Sequence, residues 1–193
     1  NDLKYKFIDV SDSNTNKMIE FTRNEYYYYG AKTVSSNVVD DKLIVDIKID
    51  TFRDNNLSKT VANLLASAVR TPGRQIDQLV INLTNNGGGY VNQAIKLASL
   101  FVPRNTSILQ YVYKDGTIVD YKTTSSPSFA NIGKFVIKQN SATASASETF
   151  TLAMMHLKNT TVVGSTSFGK GIIQDVHVFS DGSVLRYTIA KST

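Results

Sequence analysis

Apolar residues fall in short runs along the chain, and two spacings recur among them. The run Leu43-Ile44-Val45-Asp46-Ile47-Lys48-Ile49 has the length and β-branched content of a strand. Leu57, Val61, Leu64, Leu65 and Ala68 stand at helical spacing, which predicts a helix over 57–70 that stops before Pro72-Gly73. Leu79-Val80-Ile81-Asn82-Leu83 predicts a second strand, running into the loop Asn85-Asn86-Gly87-Gly88-Gly89 and a helix over 91–101 closed by Pro103. Ile108–Tyr113 and Thr117–Tyr121 predict a hairpin around Asp115-Gly116. Lys134–Lys138 predicts a strand, followed by the small residues Ser141–Ser147 and a helix over 145–157. Thr160–Val163 predicts another strand and Phe168–Gly171 a loop, and strands over 173–178 and 184–189 flank a turn at Ser180-Asp181-Gly182. Residues 1–42 are polar and predict irregular chain, with a loop at 11–16 and a strand pair over 18–29. Strands alternating with helices predict an α/β core with parallel pairs and an antiparallel tail.

Composition narrows the classes. At 193 residues the chain fits one domain with a small extension, and 41% hydrophobic with 19% charged residues excludes a mainly disordered protein. No apolar run approaches the roughly 18 residues of a membrane helix, so this segment is expected not to span a bilayer. The absence of cysteine excludes disulfides, thiolate metal sites and cysteine nucleophiles, and with two histidines a histidine-rich metal site is not expected. The net charge of +5 is scattered, which reads as a solvated basic surface rather than a nucleic-acid footprint. The chain opens on Asn1 without a methionine, as expected of a processed product or a fragment.

Candidate chemistry sits at the two strand–loop–helix junctions. The glycine loop lets backbone approach a ligand closely, and the helix after it offers free N–H groups to negative charge. It lacks the patterns of nucleotide-binding loops. At the second junction, Ser145 at a helix start is either a cap or a nucleophile whose oxyanion the helix terminus would stabilise. Such a serine needs a base. His156 lies 11 residues on along the same helix, about 16 Å at 1.5 Å per residue, too far to reach it. His177 lies in a strand without a convincing acidic partner in sequence. Lys170, between two glycines, serves as a base if burial or a positive field lowers its pKa.

Three blocks resemble the tail-specific, or carboxy-terminal processing, serine proteases: Leu79–Gly89, Asn140–Glu148 and Val162–Gln174. The ending Ser180–Thr188 is similar too, so that the likeness covers about residues 43–191. The resemblance implies a crotonase/ClpP-like core of mixed parallel sheet with flanking helices and an antiparallel tail. It implies Ser145 as nucleophile, Lys170 as general base and Gln174 as the group orienting the lysine. The oxyanion hole it implies is built from the N–H groups of Gly88 and Ala146. Residues 43–193 would then be the serine protease core and 1–42 an N-terminal extension, with Met18–Val34 resembling the last strands of a PDZ domain. Asn82, Thr84 and Gly87 stand where the family writes Asp, Arg and Pro, so the family's charge pairs around that loop are missing.

The function these implications carry is that of a bacterial, extracytoplasmic serine endopeptidase, secreted, periplasmic or surface-anchored, that needs no metal or cofactor. Its partner would be a protein or peptide substrate with an unstructured apolar C-terminal tail, and nucleic acid is not expected. Two alternatives stay open: a non-catalytic binding protein on the same fold, and a crotonase-like acyl-transfer enzyme.

Overall fold

The computed structural model describes residues 5–7, 19–21, 30–69 and 73–192. The chain divides into two compact units, one of residues 28–174 with 188–193 and one of 1–27 with 175–187.

The larger unit is built on a five-stranded sheet of order β3-β4-β5-β8-β9: β3 (Ala31–Val39), β4 (Lys42–Ile49), β5 (Gln78–Asn82), β8 (Lys134–Gln139) and β9 (Thr160–Gly164). From β4 to β9 all pairings are parallel, and each crossover carries a helix: α1 (Leu57–Ala68), α2 (Val91–Ala98) and α3 (Ala146–Met154). The segment between α2 and β8 also holds the hairpin of β6 (Ser107–Tyr113) and β7 (Ile118–Lys122). Only β3 is antiparallel to its neighbour β4.

In-register pairing puts Val45, Leu79 and Phe135 in one row and Ile47, Ile81 and Ile137 in the next, all buried on one face. Leu57, Val61 and Leu65 of α1, Leu97 of α2, and Phe150 and Met154 of α3 join them in one core. Phe101 meets Phe135 edge-on at 5.4 Å between ring centroids, and Phe52 lies 6.0 Å from Phe150. The opposite face is mixed: Ile44, Val80 and Val136 share it with Asp46, Lys48, Asn82 and Lys138, and Lys138 pairs with Asp46 at 3.2 Å. The sheet is therefore wholly apolar on one face and mixed on the other, as suits strands that are mostly parallel.

A second sheet of order β10-β11-β6-β7 includes β10 (Ile172–Val178) and β11 (Val184–Ser192), and β11 joins it through Ala190–Ser192 against Tyr111–Tyr113. In the smaller unit, β1 (Tyr5–Phe7) pairs antiparallel with β2 (Ile19–Phe21). The fold is mixed α/β, as the pattern predicts.

Two details differ from the sequence reading. β3 falls where polar residues predict irregular chain. It is an edge strand with a bulge between Thr33 and Ser35, and pairing to β4, rather than its own apolar content, holds it. All three predicted helices close early, at Ala68, Ala98 and Met154. The tyrosine run 26–29 lies outside the described residues.

Candidate active site

Parallel pairing sets the C-terminal ends of β5 and β8 side by side, Asn82 opposite Lys138. The two loops that leave these strands therefore start next to each other, where open α/β sheets bind ligands. The main chain then stitches them together. Leu83 N–H donates to Lys138 O at 2.7 Å, and Ala144 N–H to Asn86 O at 3.1 Å. The buried hydroxyl of Thr143 donates to Leu83 O at 2.9 Å and that of Ser147 to Asn86 O at 3.0 Å.

Ser145 is the N-cap residue of α3 with φ 58° and ψ −121°, a strained conformation for a residue with a side chain. Its hydroxyl makes no hydrogen bond among the described residues: the Glu148 N–H goes to the Ser145 carbonyl at 2.8 Å, and the Glu148 carboxylate accepts the Ser145 N–H at 2.7 Å. Ser145 is thus held at the start of a helix with its hydroxyl unused. At the first position of α3, Ala146 N–H finds no acceptor among the described residues, as expected of a helix's first donors.

The glycine loop packs directly on this turn. A Cβ on Gly88 would stand 2.6 Å from Ala144 O and 2.9 Å from both Ala146 N and Ser145 Cβ, and Gly88 has φ +96°. Only glycine fits. Its N–H donates to Asn86 Oδ1 at 2.9 Å, so it is engaged within the loop. The Asn86 side chain is fully buried and donates in turn to Ile49 O at 2.9 Å. Beyond Gly88 the loop forms a parallel bridge with Phe52: Phe52 N–H donates to Gly88 O and Tyr90 N–H to Phe52 O. That pattern turns the N–H and C=O of Gly89 to the edge away from Phe52, where neither has a partner among the described residues.

The loop 165–171 closes over the start of α3. Phe168 N–H donates to Thr143 O at 2.9 Å. Gly169 N–H donates to Glu148 Oε1 at 2.6 Å and Lys170 N–H to Glu148 Oε2 at 3.0 Å. One carboxylate thereby ties the main chain of Ser145 to that of Lys170. Burial pushes the Glu148 carboxyl up, but bonds from the Ser167 hydroxyl and the N–H groups of Gly169, Lys170 and Ser145 outweigh it and hold the carboxyl below its ordinary value. The half-buried Lys170 ammonium has no hydrogen-bond or ion-pair partner among the described residues. Gln174 is exposed on β10, with no hydrogen bond to Lys170 among them. His156 is exposed just past α3, and His177 packs on Phe179 at 4.6 Å between ring centroids. Beside Glu148 lies a cavity of about 350 Å³ lined by Gln139, Glu148, Thr151, Leu152, Met155, Val162 and Ser167. No group of three metal-ligating side chains forms among the described residues.

Of the residues singled out in sequence, Gly88, Ser145 and Ala146 therefore meet at one point, and Lys170 reaches it through Glu148. Glu148 and Asn86 were not singled out. The Ser-x-x-Glu spacing of a capping box was a signal for the first. No local pattern marks the second, whose partners are 37 and 2 residues away.

The profile of Peptidase family S41 matches residues 44–193. The chain belongs to this family. It is 34% identical over 143 residues to a "Probable CtpA-like serine protease" of Staphylococcus haemolyticus, covering 74% of this chain and 28% of that protein. It is 28% identical over 171 residues to the carboxy-terminal processing protease CtpA of Bacillus subtilis, covering 84% of this chain and 36% of that one. The chain thus spans about a third of the length of these relatives. Its fold is similar to that of the photosystem II D1 C-terminal processing protease, with a TM-score of 0.69 at 24% identity over 92% of this chain and 47% of the other.

Proposed function

We propose that this S41 chain is the core of a serine endopeptidase with a Ser145–Lys170 dyad. The observation that carries the reading is Ser145 itself: strained, unused as a cap and pressed against a glycine loop at a helix start. Lys170 Nζ takes the hydroxyl proton as Ser145 Oγ attacks a substrate carbonyl carbon. The C=O pair moves onto oxygen, and main-chain N–H groups hold the resulting oxyanion. Ala146 N–H is one donor. For the other we choose Gly89 over Gly88, because the Gly88 N–H is already bonded to Asn86 whereas that of Gly89 is free. The tetrahedral intermediate collapses as the C–N bond breaks, and the Lys170 ammonium gives its proton to the leaving amine. Lys170 then activates a water that releases the acyl group and regenerates Ser145.

An extended peptide fits the free edge of Gly89 by strand addition. The apolar walls of the cavity beside Glu148 support a preference for apolar tail residues. An extracytoplasmic bacterial setting belongs to the same proposal. It is checked by fractionating cells that express the full-length protein.

The experiment is proteolysis of a casein-like substrate with intact-mass detection of fluorophosphonate labelling. Ser145→Ala abolishes both cleavage and labelling, yet costs less than the about 0.5–2 kcal/mol of a lost cap, because the hydroxyl caps nothing. Lys170→Arg is inactive and folded, since a guanidinium does not deprotonate here and the Glu148 bond uses only the main chain of residue 170. Cleavage by Ser145→Ala overturns the assignment. One observation favours the second reading, a non-catalytic binding protein: the Lys170 ammonium is bonded to neither Ser145 nor Gln174 among the described residues. That reading is adopted if the unmodified protein binds peptide without cleaving it.

A further inference from the structure

The glycine loop is held by neutral groups except at its root. Thr84 N–H and hydroxyl both donate to Asn82 Oδ1, at 3.0 and 2.8 Å. Asn85 and Asn140 exchange two bonds, Asn85 N–H to Asn140 Oδ1 at 2.9 Å and Asn140 Nδ2 to Asn85 Oδ1 at 2.8 Å. The one charged side chain bonded to this loop, among the described residues, is Lys48 of β4. Its Nζ donates to the carbonyl oxygen of Thr84 and to Thr84 Oγ1 at 3.2 Å. We infer that Lys48 is a positioning residue, clamping the root of the glycine loop so that Gly88 and Gly89 are presented to Ser145. The inference rests on the peptidase reading for its consequence, but the clamp is testable without activity.

Three features support it. Lys48 stands in register beside Asn82, the last residue of β5, two residues before Thr84. Its side chain is only 17% exposed, and the Asp50 carboxylate is 4.0 Å away, too far to hold the ammonium by a hydrogen bond. Burial lowers the pKa of Lys48, with Asp50 opposing and Lys32 adding to the shift, so the ammonium sits where desolvation disfavours it and Thr84 supplies its close contacts.

The test measures amide exchange of residues 83–89 by mass spectrometry in three proteins that all carry Ser145→Ala: that variant alone, with Lys48→Met and with Lys48→Arg. Exchange in this segment is expected to rise about tenfold or more in Lys48→Met, the factor for one lost bond to a charged group, and to fall back in Lys48→Arg. With Ser145 intact, Lys48→Met lowers kcat about tenfold at unchanged KM, and Lys48→Arg restores it. Unchanged exchange over 83–89, or a rise shared equally by β4, β5 and β8, overturns the clamp. If the unmodified protein cleaves nothing, the peptidase reading fails, while the exchange comparison still decides on Lys48.

Discussion

Replacing Glu148 by glutamine removes the charge that joins nucleophile turn and base loop while keeping the size of the side chain. The carboxylate accepts three main-chain bonds, from Ser145 at 2.7 Å, Gly169 at 2.6 Å and Lys170 at 3.0 Å. A glutamine keeps one acceptor oxygen and turns an NH2 toward the other donors, so at least one N–H loses its partner. Each charge-assisted bond of this kind contributes about 1.5–3 kcal/mol, and partial exposure of Glu148 brings the loss in Glu148→Gln to about 2–3 kcal/mol. The measurement is urea denaturation at pH 7, followed by the same titration at lower pH. The carboxyl of the folded protein ionises below its ordinary 4.5. Its contribution is therefore complete above the unfolded value and is lost as pH falls through the folded one. The gap between wild type and Glu148→Gln should narrow from pH 5 to pH 3. Activity should fall with stability, because Ser145 and Lys170 lose their shared anchor. Equal stability at pH 7, or a gap that stays constant into acid, would refute the reasoning.

Gly88→Val drives a side chain into Ala144 O and the Ser145 turn at a φ of +96°; it should lose all cleavage and cost several kcal/mol, at least about 2, by denaturant midpoint. Asn86→Asp replaces the buried donor to Ile49 O by a carboxylate, so stability should drop by about 1–3 kcal/mol at pH 7 and recover in part on acidification, when a protonated aspartic acid can donate again. A pH-independent loss there would show that shape, not the proton, matters at that position.

Much of this protein was legible along the chain, because the relevant signals are local. Alternation at 43–49 and the helical spacing of Leu57, Val61 and Leu65 are properties of consecutive residues, and both elements form. The glycine loop and Ser145 were visible as punctuation between a strand and a helix, and their order matched that of a family. What the chain could not show is where hydrogen bonds go between residues far apart in sequence. Ala31–Val39 has too little apolar content to announce a strand and forms one through its partner β4. That the Ser145 hydroxyl is left unbonded goes with the backbone angles of a turn packed against Gly88. The Gly88 N–H turns to Asn86, Glu148 reaches across 22 residues to Lys170, and Lys48 across 36 to Thr84. Periodicity determined the elements, because burial of one face needs only neighbours in sequence. The site was decided by the tertiary structure, because parallel pairing alone brings the ends of β5 and β8 together, and each polar group then bonds whatever that juxtaposition puts within reach.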